Sequence, residues 1–243
     1  MNNRTAIITG AAKRIGAAIT RELHRAGMDV VIHFNSSKDA ASQLAMELDQ
    51  LRPDSARAIQ ADLKHPDAWP NLINSALSFN GRLDVLINNA SAFYPTSFPE
   101  LTDSDWNEFM DTNLKAPLFL SQLAAPHLSV TKGCIINLAD IYADRPLKNH
   151  VLYCVSKAGL IMLTKSLAME LAPEVRVNAI SPGAIFWHAN MSEEEKSEIL
   201  QKIPMGSSGE AKDISNAVSY LVDGANYTTG QVLVIDGGRS LFS

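Results

Sequence analysis

The sequence predicts a single α/β domain built on a doubly wound, seven-stranded parallel sheet with helices on both faces. Three observations predict it. Seven short apolar runs recur along the chain, each of a length suited to a strand buried on both faces. Helical patterns lie between them, as right-handed crossovers between parallel strands require. The 243 residues, 46% hydrophobic and 19% charged, suffice for one sizeable core, and no linker rich in Gly, Ser or Pro divides them.

The first expected strand, Thr5–Thr9, runs into TGAAKRIG, Thr9 to Gly16, and then into a helix at about Ile15–Ala26. A glycine-bearing turn at that place lets backbone N–H groups approach a pyrophosphate, whose charge is favoured at a helix N-terminus. The plainer reading is a tight connection, and Arg14 stands where a third glycine would be expected. The second strand, Val30–His33, leads to Asn35, Ser36 and Ser37 with no acid to accept from a ribose 2′-hydroxyl. These neutral donors, with Lys13 and Arg14 in the glycine turn, favour NADP over NAD; the alternative is a solvated loop.

A helix at Asp39–Leu51 precedes the third strand, Ala58–Ala61, which ends at Asp62 and Leu63. After a helix at Trp69–Phe79, the fourth strand, Val85–Ile87, ends in NNAS, Asn88 to Ser91. One edge of the sheet therefore collects polar groups repeatedly, and in such sheets the carboxyl edge is where ligands bind.

A long helix, Ser104–His127, carries the chain to the fifth strand, Cys134–Leu138, after which Asp140 begins a loop. Tyr153 and Lys157 follow at the start of a helix, Tyr153–Leu171. At a spacing of four they share one helix face, so the ammonium is expected to lower the pKa of the phenol, ordinarily about 10. Beyond the sixth strand, Val175–Ile180, the stretch Pro182–Ser208 reads as irregular, with an acidic run at Glu193-Glu194-Glu195, and is expected to be a mobile lid at about residues 183–208. A helix at Asp213–Val222 and the seventh strand, Val232–Ile235, complete the series.

The formal net charge of −5 and scattered cations give no basic stripe for nucleic acid. Cys134 and Cys154 lack metal-ligand spacing and read as buried apolar residues in a reducing compartment, with no metal site. No apolar segment reads as a signal or a membrane span, so a cytoplasmic protein is expected.

TGAAKRIG, NNAS, Asn113 in DTNLKAPLF, the Tyr153/Lys157 pair, SPG at Ser181–Gly183 and DGG at Asp236–Gly238 together resemble the short-chain dehydrogenase/reductase family over nearly the whole chain. The resemblance implies a Rossmann fold and a nicotinamide cofactor, here NADPH. Its contacts would come from Gly10, Lys13, Arg14, Ile15 and Gly16, from Asn35, Ser36 and Ser37, from Asp62 and Leu63, from Asn89, Ala90 and Ser91, from Tyr153 and Lys157, and from Pro182, Gly183 and Ile185. It implies a catalytic set of Asn113, Tyr153 and Lys157 plus one residue on the fifth strand, a serine in most of the family and Asp140 here. A homotetramer built from helix pairs and the last strand is also implied.

Asp140 is what the pteridine reductase branch looks like, as are Arg14, His33-Phe34, RPDSA at Arg52–Ala56 and NNASAFYPT at Asn88–Thr96. The bacterial dihydromonapterin and dihydrofolate reductases stand next to it. That likeness implies reduction of a dihydropterin, and of oxidised pterin or dihydrofolate, to the tetrahydro form. Arg14, Ser91, Phe93, Asp140, Tyr153 and Phe186 would then hold a small-molecule pterin, with the Phe93 ring on one pterin face and the nicotinamide on the other. Reducing C=N needs a proton on a ring nitrogen, which an acid beside Tyr153 can share or relay, whereas a serine serves a carbonyl oxygen. The plainer readings are a loop cap for Asp140 and a core ring for Phe93. Ser36 stands where the branch often carries an Arg, leaving Arg14 with more of the 2′-phosphate task. Phe186, Trp187 and His188 in the lid are expected to close on the substrate tail, with a surface histidine as the other reading of His188. A carbonyl reductase of the 3-oxoacyl or sugar type is the alternative enzyme, and a non-catalytic cofactor-binding regulator the alternative class.

Overall fold

The computed structural model describes residues 4–187 and 191–241; His188 lies outside them. Seven strands form one parallel sheet: β1 (Thr5–Ile8), β2 (Asp29–Phe34), β3 (Ala56–Gln60), β4 (Val85–Asn88), β5 (Cys134–Leu138), β6 (Arg176–Pro182) and β7 (Val232–Ile235). Their order is β3-β2-β1-β4-β5-β6-β7, a Rossmann arrangement in which the direction of winding reverses beside β1. That reversal opens a crevice beyond the carboxyl ends of β1 and β4.

Alternation along the strands builds a core on each side. Ile8, Ile32 and Ile136 pack with α1 (Arg14–Arg25), α2 (Lys38–Leu51) and α8 (Ala211–Ser219). Their neighbours Ile7, Val31 and Ile135 face the opposite way, toward α3 (Trp69–Asn80) and α5 (Ala116–Thr131). The five central strands β1, β2, β4, β5 and β6 are covered on both faces and so read as unbroken apolar runs, whereas the edge strands β3 and β7, expected to be buried likewise, are only partly covered.

Two expectations of secondary structure are corrected. The helix expected at Ser104–His127 is three pieces: α4 (Asp103–Met110), a π turn at Asp111–Lys115, and α5. Pro117 has no N–H to return to the Asn113 carbonyl, and Ala116 N–H reaches back to Asp111 O instead. The stretch Pro182–Ser208, expected to be irregular, contains α7 (Glu193–Gln201). Ser192 accepts from Glu195 N–H while the Glu195 carboxylate accepts from Ser192 N–H, so the acidic run is a capped first turn.

The helix α6 (Val151–Leu171) is long and apolar enough to cross a membrane, contrary to the expectation that no segment would be. Here it packs beside β6 and buries Tyr153, Ser156, Lys157 and Thr164, leaving Val155, Met162 and Met169 exposed.

Candidate active site

The glycine turn is shaped by close approach. Gly10 has φ +60°, and a Cβ there would stand 2.8 Å from Ala90 Cα; one on Gly16 would stand 2.3 Å from Gly10 O. Arg14 takes the left-handed conformation, φ +51°, at the place where a glycine would cost nothing. No side chain caps α1, so its first N–H groups and positive dipole end are left to an anion at the crevice. The residues present therefore fit a dinucleotide pyrophosphate.

His33 holds this turn, a role the sequence did not reveal. Gly10 N–H donates to His33 Nδ1 at 3.0 Å, and Nε2–H donates to Ala61 O at 3.0 Å. Burial lowers the His33 pKa, which keeps the ring neutral and the Nδ1 lone pair available. Across the turn Asn89 donates to Thr9 O at 2.9 Å and to Gly10 O at 3.0 Å.

Two cavities meet at Gly10, Lys13, Ala90 and Ser91. The smaller, of about 300 Å³, is lined by Lys13, His33, Asn35, Ser36, Ser37, Asp62 and Leu63. The larger, of about 760 Å³, gathers Arg14, Ile15, Gly16, Asn89, Phe93, Asp140, Tyr153, Lys157, Pro182, Gly183, Ile185 and Phe186. The structure thus brings together every expected cofactor and substrate residue among those it describes, His188 lying outside them, with one redistribution. Arg14 lines only the larger cavity, its Cζ 5.9 Å from the Phe186 ring centre, whereas Lys13 reaches the side that holds Ser36 and Ser37.

At the end of β5, Asp140 accepts from Tyr142 N–H at 2.9 Å, capping a short turn, and through Oδ2 from the Tyr153 hydroxyl at 2.7 Å. The two readings of Asp140 therefore hold at once. Burial raises its pKa, against hydrogen bonds from Tyr142 and Tyr153 and the charges of Lys157 and Arg239. Burial, then the Asp140 charge, pushes Tyr153 well above 10. This reverses the expectation that Lys157 would lower it. Lys157 spends a donor on Leu138 O at 2.7 Å, lies 5.7 Å from the Tyr153 ring centre, and is itself lowered by burial to about 8.

Asn113, placed in the expected catalytic set, lines neither cavity. It is buried in the π turn, where Oδ1 accepts from Ala92 N–H at 2.7 Å and Nδ2 donates to Ala92 O at 3.1 Å and Ser156 Oγ at 3.0 Å. It fixes the backbone beside Phe93 and a side chain beside Lys157, so it is a positioning residue. Phe93 stacks on His150 at 5.0 Å and meets Tyr153 edge-on at 4.6 Å. Its own chain thus supplies a stacking partner that the expected pterin sandwich did not include. The outer wall adds Tyr142, Leu147, Trp187, Met191, Ile199, Lys202 and Arg239. Of these only Trp187 is marked by the sequence; Arg239 follows the terminal DGG directly, the one signal that could have marked it.

The family model described as enoyl-(acyl carrier protein) reductase matches residues 10–240. The chain belongs to the short-chain dehydrogenase/reductase family. Members of this family bind NAD(P)H, and the chain is an oxidoreductase of that family. It is 32% identical to glucose 1-dehydrogenase 2 of Bacillus subtilis over 100% of this chain and 96% of that protein. It is 35% identical to the 3-oxoacyl-(acyl-carrier-protein) reductases of Staphylococcus epidermidis, over 97% of this chain and 98% of the relative, and of Staphylococcus aureus, over 97% of each.

Proposed function

We propose that this oxidoreductase is an NADPH-dependent pteridine reductase that reduces a ring C=N of a dihydropterin to the tetrahydro form. The observation that carries this reading is the Tyr153 hydroxyl bonded to Asp140 Oδ2 at 2.7 Å, a carboxyl where a carbonyl-reducing relative would place a serine hydroxyl. The bound cofactor supplies the hydride. Tyr153, its proton held by burial and by Asp140, is the acid that delivers a proton to the ring nitrogen beside the carbon reduced. Asp140, bonded to the phenol, then relays a proton from solvent to the phenolate so formed, and the buried Lys157 ammonium stabilises that phenolate meanwhile. Phe93 and His150 offer the flat heterocycle an aromatic wall. NADPH is favoured because no acid ends β2 and Lys13, Asn35, Ser36 and Ser37 line one cavity.

A second reading, carbonyl reduction, is favoured by the relatives, whose names give a 3-oxoacyl-(acyl-carrier-protein) and glucose as what they act on. NADPH oxidation measured with dihydrobiopterin, dihydrofolate and an acetoacetyl thioester decides between them. Turnover of the thioester alone defeats the pteridine reading. A homotetramer belongs to the same proposal: Leu118 and Leu123 on α5, Val155, Met162 and Met169 on α6, and Val234 on β7 are exposed apolar side chains suited to a second copy.

A further inference from the structure

Among the described residues, the larger cavity is lined by five cationic side chains, Lys13, Arg14, Lys157, Lys202 and Arg239, and by one carboxyl, Asp140. An acidic protein of net charge −5 thus gathers positive charge around its site. Three of the five are accounted for. Lys13 and Arg14 belong to the turn that receives the dinucleotide, and Lys157 is buried against Leu138 O behind Tyr153. Lys202 and Arg239 remain. Lys202 follows the last turn of α7 and is exposed; Arg239 donates to the Tyr142 hydroxyl at 2.9 Å, a neutral partner, and among the described residues neither is ion-paired. Leu147, Trp187, Met191 and Ile199 line the same cavity, so its wall offers apolar surface as well as these two cations.

We propose that Lys202 and Arg239 form an anion subsite at the outer end of the cavity, so that the substrate carries a carboxylate or phosphate on the tail beyond its reducible ring. This rests on the pteridine reading and deepens it, favouring a charged pterin over one with a neutral polyol side chain. Among the described residues neither cation lies within ion-pair distance of a carboxylate, and the Arg239 charge reaches Asp140 and Asp236 only at longer range, so an anion binds the two without breaking a direct pair.

The test compares KM, with saturating NADPH, for 7,8-dihydrofolate, 7,8-dihydroneopterin 3′-phosphate and the uncharged 7,8-dihydrobiopterin in the wild type, Lys202→Glu and Arg239→Gln. Both variants should raise KM for at least one charged probe tenfold more than for dihydrobiopterin, and whichever probe suffers more identifies carboxylate or phosphate as the group bound. Lys202→Glu, at an exposed helix end, keeps the test readable if Arg239→Gln disturbs Tyr142. An equal rise for all three probes overturns the subsite while the pteridine reading stands. If no pterin is reduced, that reading fails, and the subsite is judged on acetoacetyl-CoA against acetoacetyl-N-acetylcysteamine, which shares the reacting group and lacks phosphate. A tenfold selective loss for the CoA thioester then supports the subsite, and equal loss overturns it.

Discussion

The Tyr153 hydroxyl donates a hydrogen bond to Asp140 Oδ2 at 2.7 Å, and burial raises the pKa of both groups. Two acids that share a proton in a dry site titrate as a pair. The pair holds a deliverable proton at pH values where an exposed aspartate would have lost it.

Replacing the acid tests this directly. Asp140→Ser should lower pterin turnover at least tenfold, about 1.4 kcal/mol of transition-state stabilisation, with a smaller change in pterin affinity. In the wild type, activity on pterins should fall as pH rises through the raised Asp140 pKa, and the variant should lack that limb. Coincident rate–pH profiles would remove Asp140 from the proton path.

A stability measurement gives the opposite sign. A carboxyl whose folded pKa is raised contributes stability below its unfolded value of about 3.8 and loses it as pH rises through the folded value. Asp140→Asn should therefore raise the melting temperature near pH 7 while lowering activity. A melting temperature that drops at pH 7 and not at pH 4 refutes the burial argument.

Tyr153→Phe should abolish turnover and leave NADPH affinity, read by fluorescence titration, nearly intact. Lys157 still donates to Leu138 O in that variant, so the cofactor side of the site is preserved. Turnover like that of the wild type would exclude the phenol from the chemistry.

Arg14 is held at φ +51°, a conformation that costs a non-glycine residue about 1 kcal/mol. Arg14→Gly relieves this and adds freedom to the unfolded chain, so stability should move by less than about 1 kcal/mol. Because Arg14 faces Phe186 and not Ser36, affinity for NADPH and NADH should fall alike, whereas Lys13→Ala should weaken NADPH selectively. Selective loss of NADPH in Arg14→Gly would return the 2′-phosphate to Arg14.

His33 predicts an acid limit. Its pKa lies below the ordinary 6.5 because burial penalises the charged ring. A base depressed in the folded state is protonated first in the unfolded chain, so stability is lost as pH falls below about 6.5. NADPH affinity should weaken further down, only as pH falls through the lowered folded value, since protonated Nδ1 cannot accept from Gly10 N–H. His33→Gln should flatten part of this loss; His24, also lowered by burial, keeps the remainder. An unaltered profile in His33→Gln rules the histidine out.

The strands were legible because burial on both faces writes itself into four or more consecutive residues, as at Ile135 and Ile136. The motif residues were legible for the same reason of locality: Tyr153 and Lys157 share one turn. The split of the long helix was not, since Pro117 sits within a good helical pattern and breaks it only through a missing N–H. Nor were the Gly10–His33 bond, the Tyr142–Arg239 bond or the His150–Phe93 stack, which join residues 23, 97 and 57 positions apart and depend on the sheet to bring them together. The direction of Tyr153 titration was misjudged because spacing reveals a neighbouring charge and says nothing of burial.

The proton path, Asp140, Tyr153 and Lys157, belongs to β5, its turn and α6, while Phe186, Trp187, Met191, Ile199 and Lys202 come from the single connection between β6 and α8. Much of the cavity wall thus sits on a stretch of chain separate from Asp140, Tyr153 and Lys157, while Phe93, His150 and Arg239 complete it from elsewhere. A graft exchanging residues 184–202 for the equivalent stretch of a relative should transplant substrate preference onto an unchanged reaction centre, and the same separation gives duplicated copies of this gene an easy route to diverge.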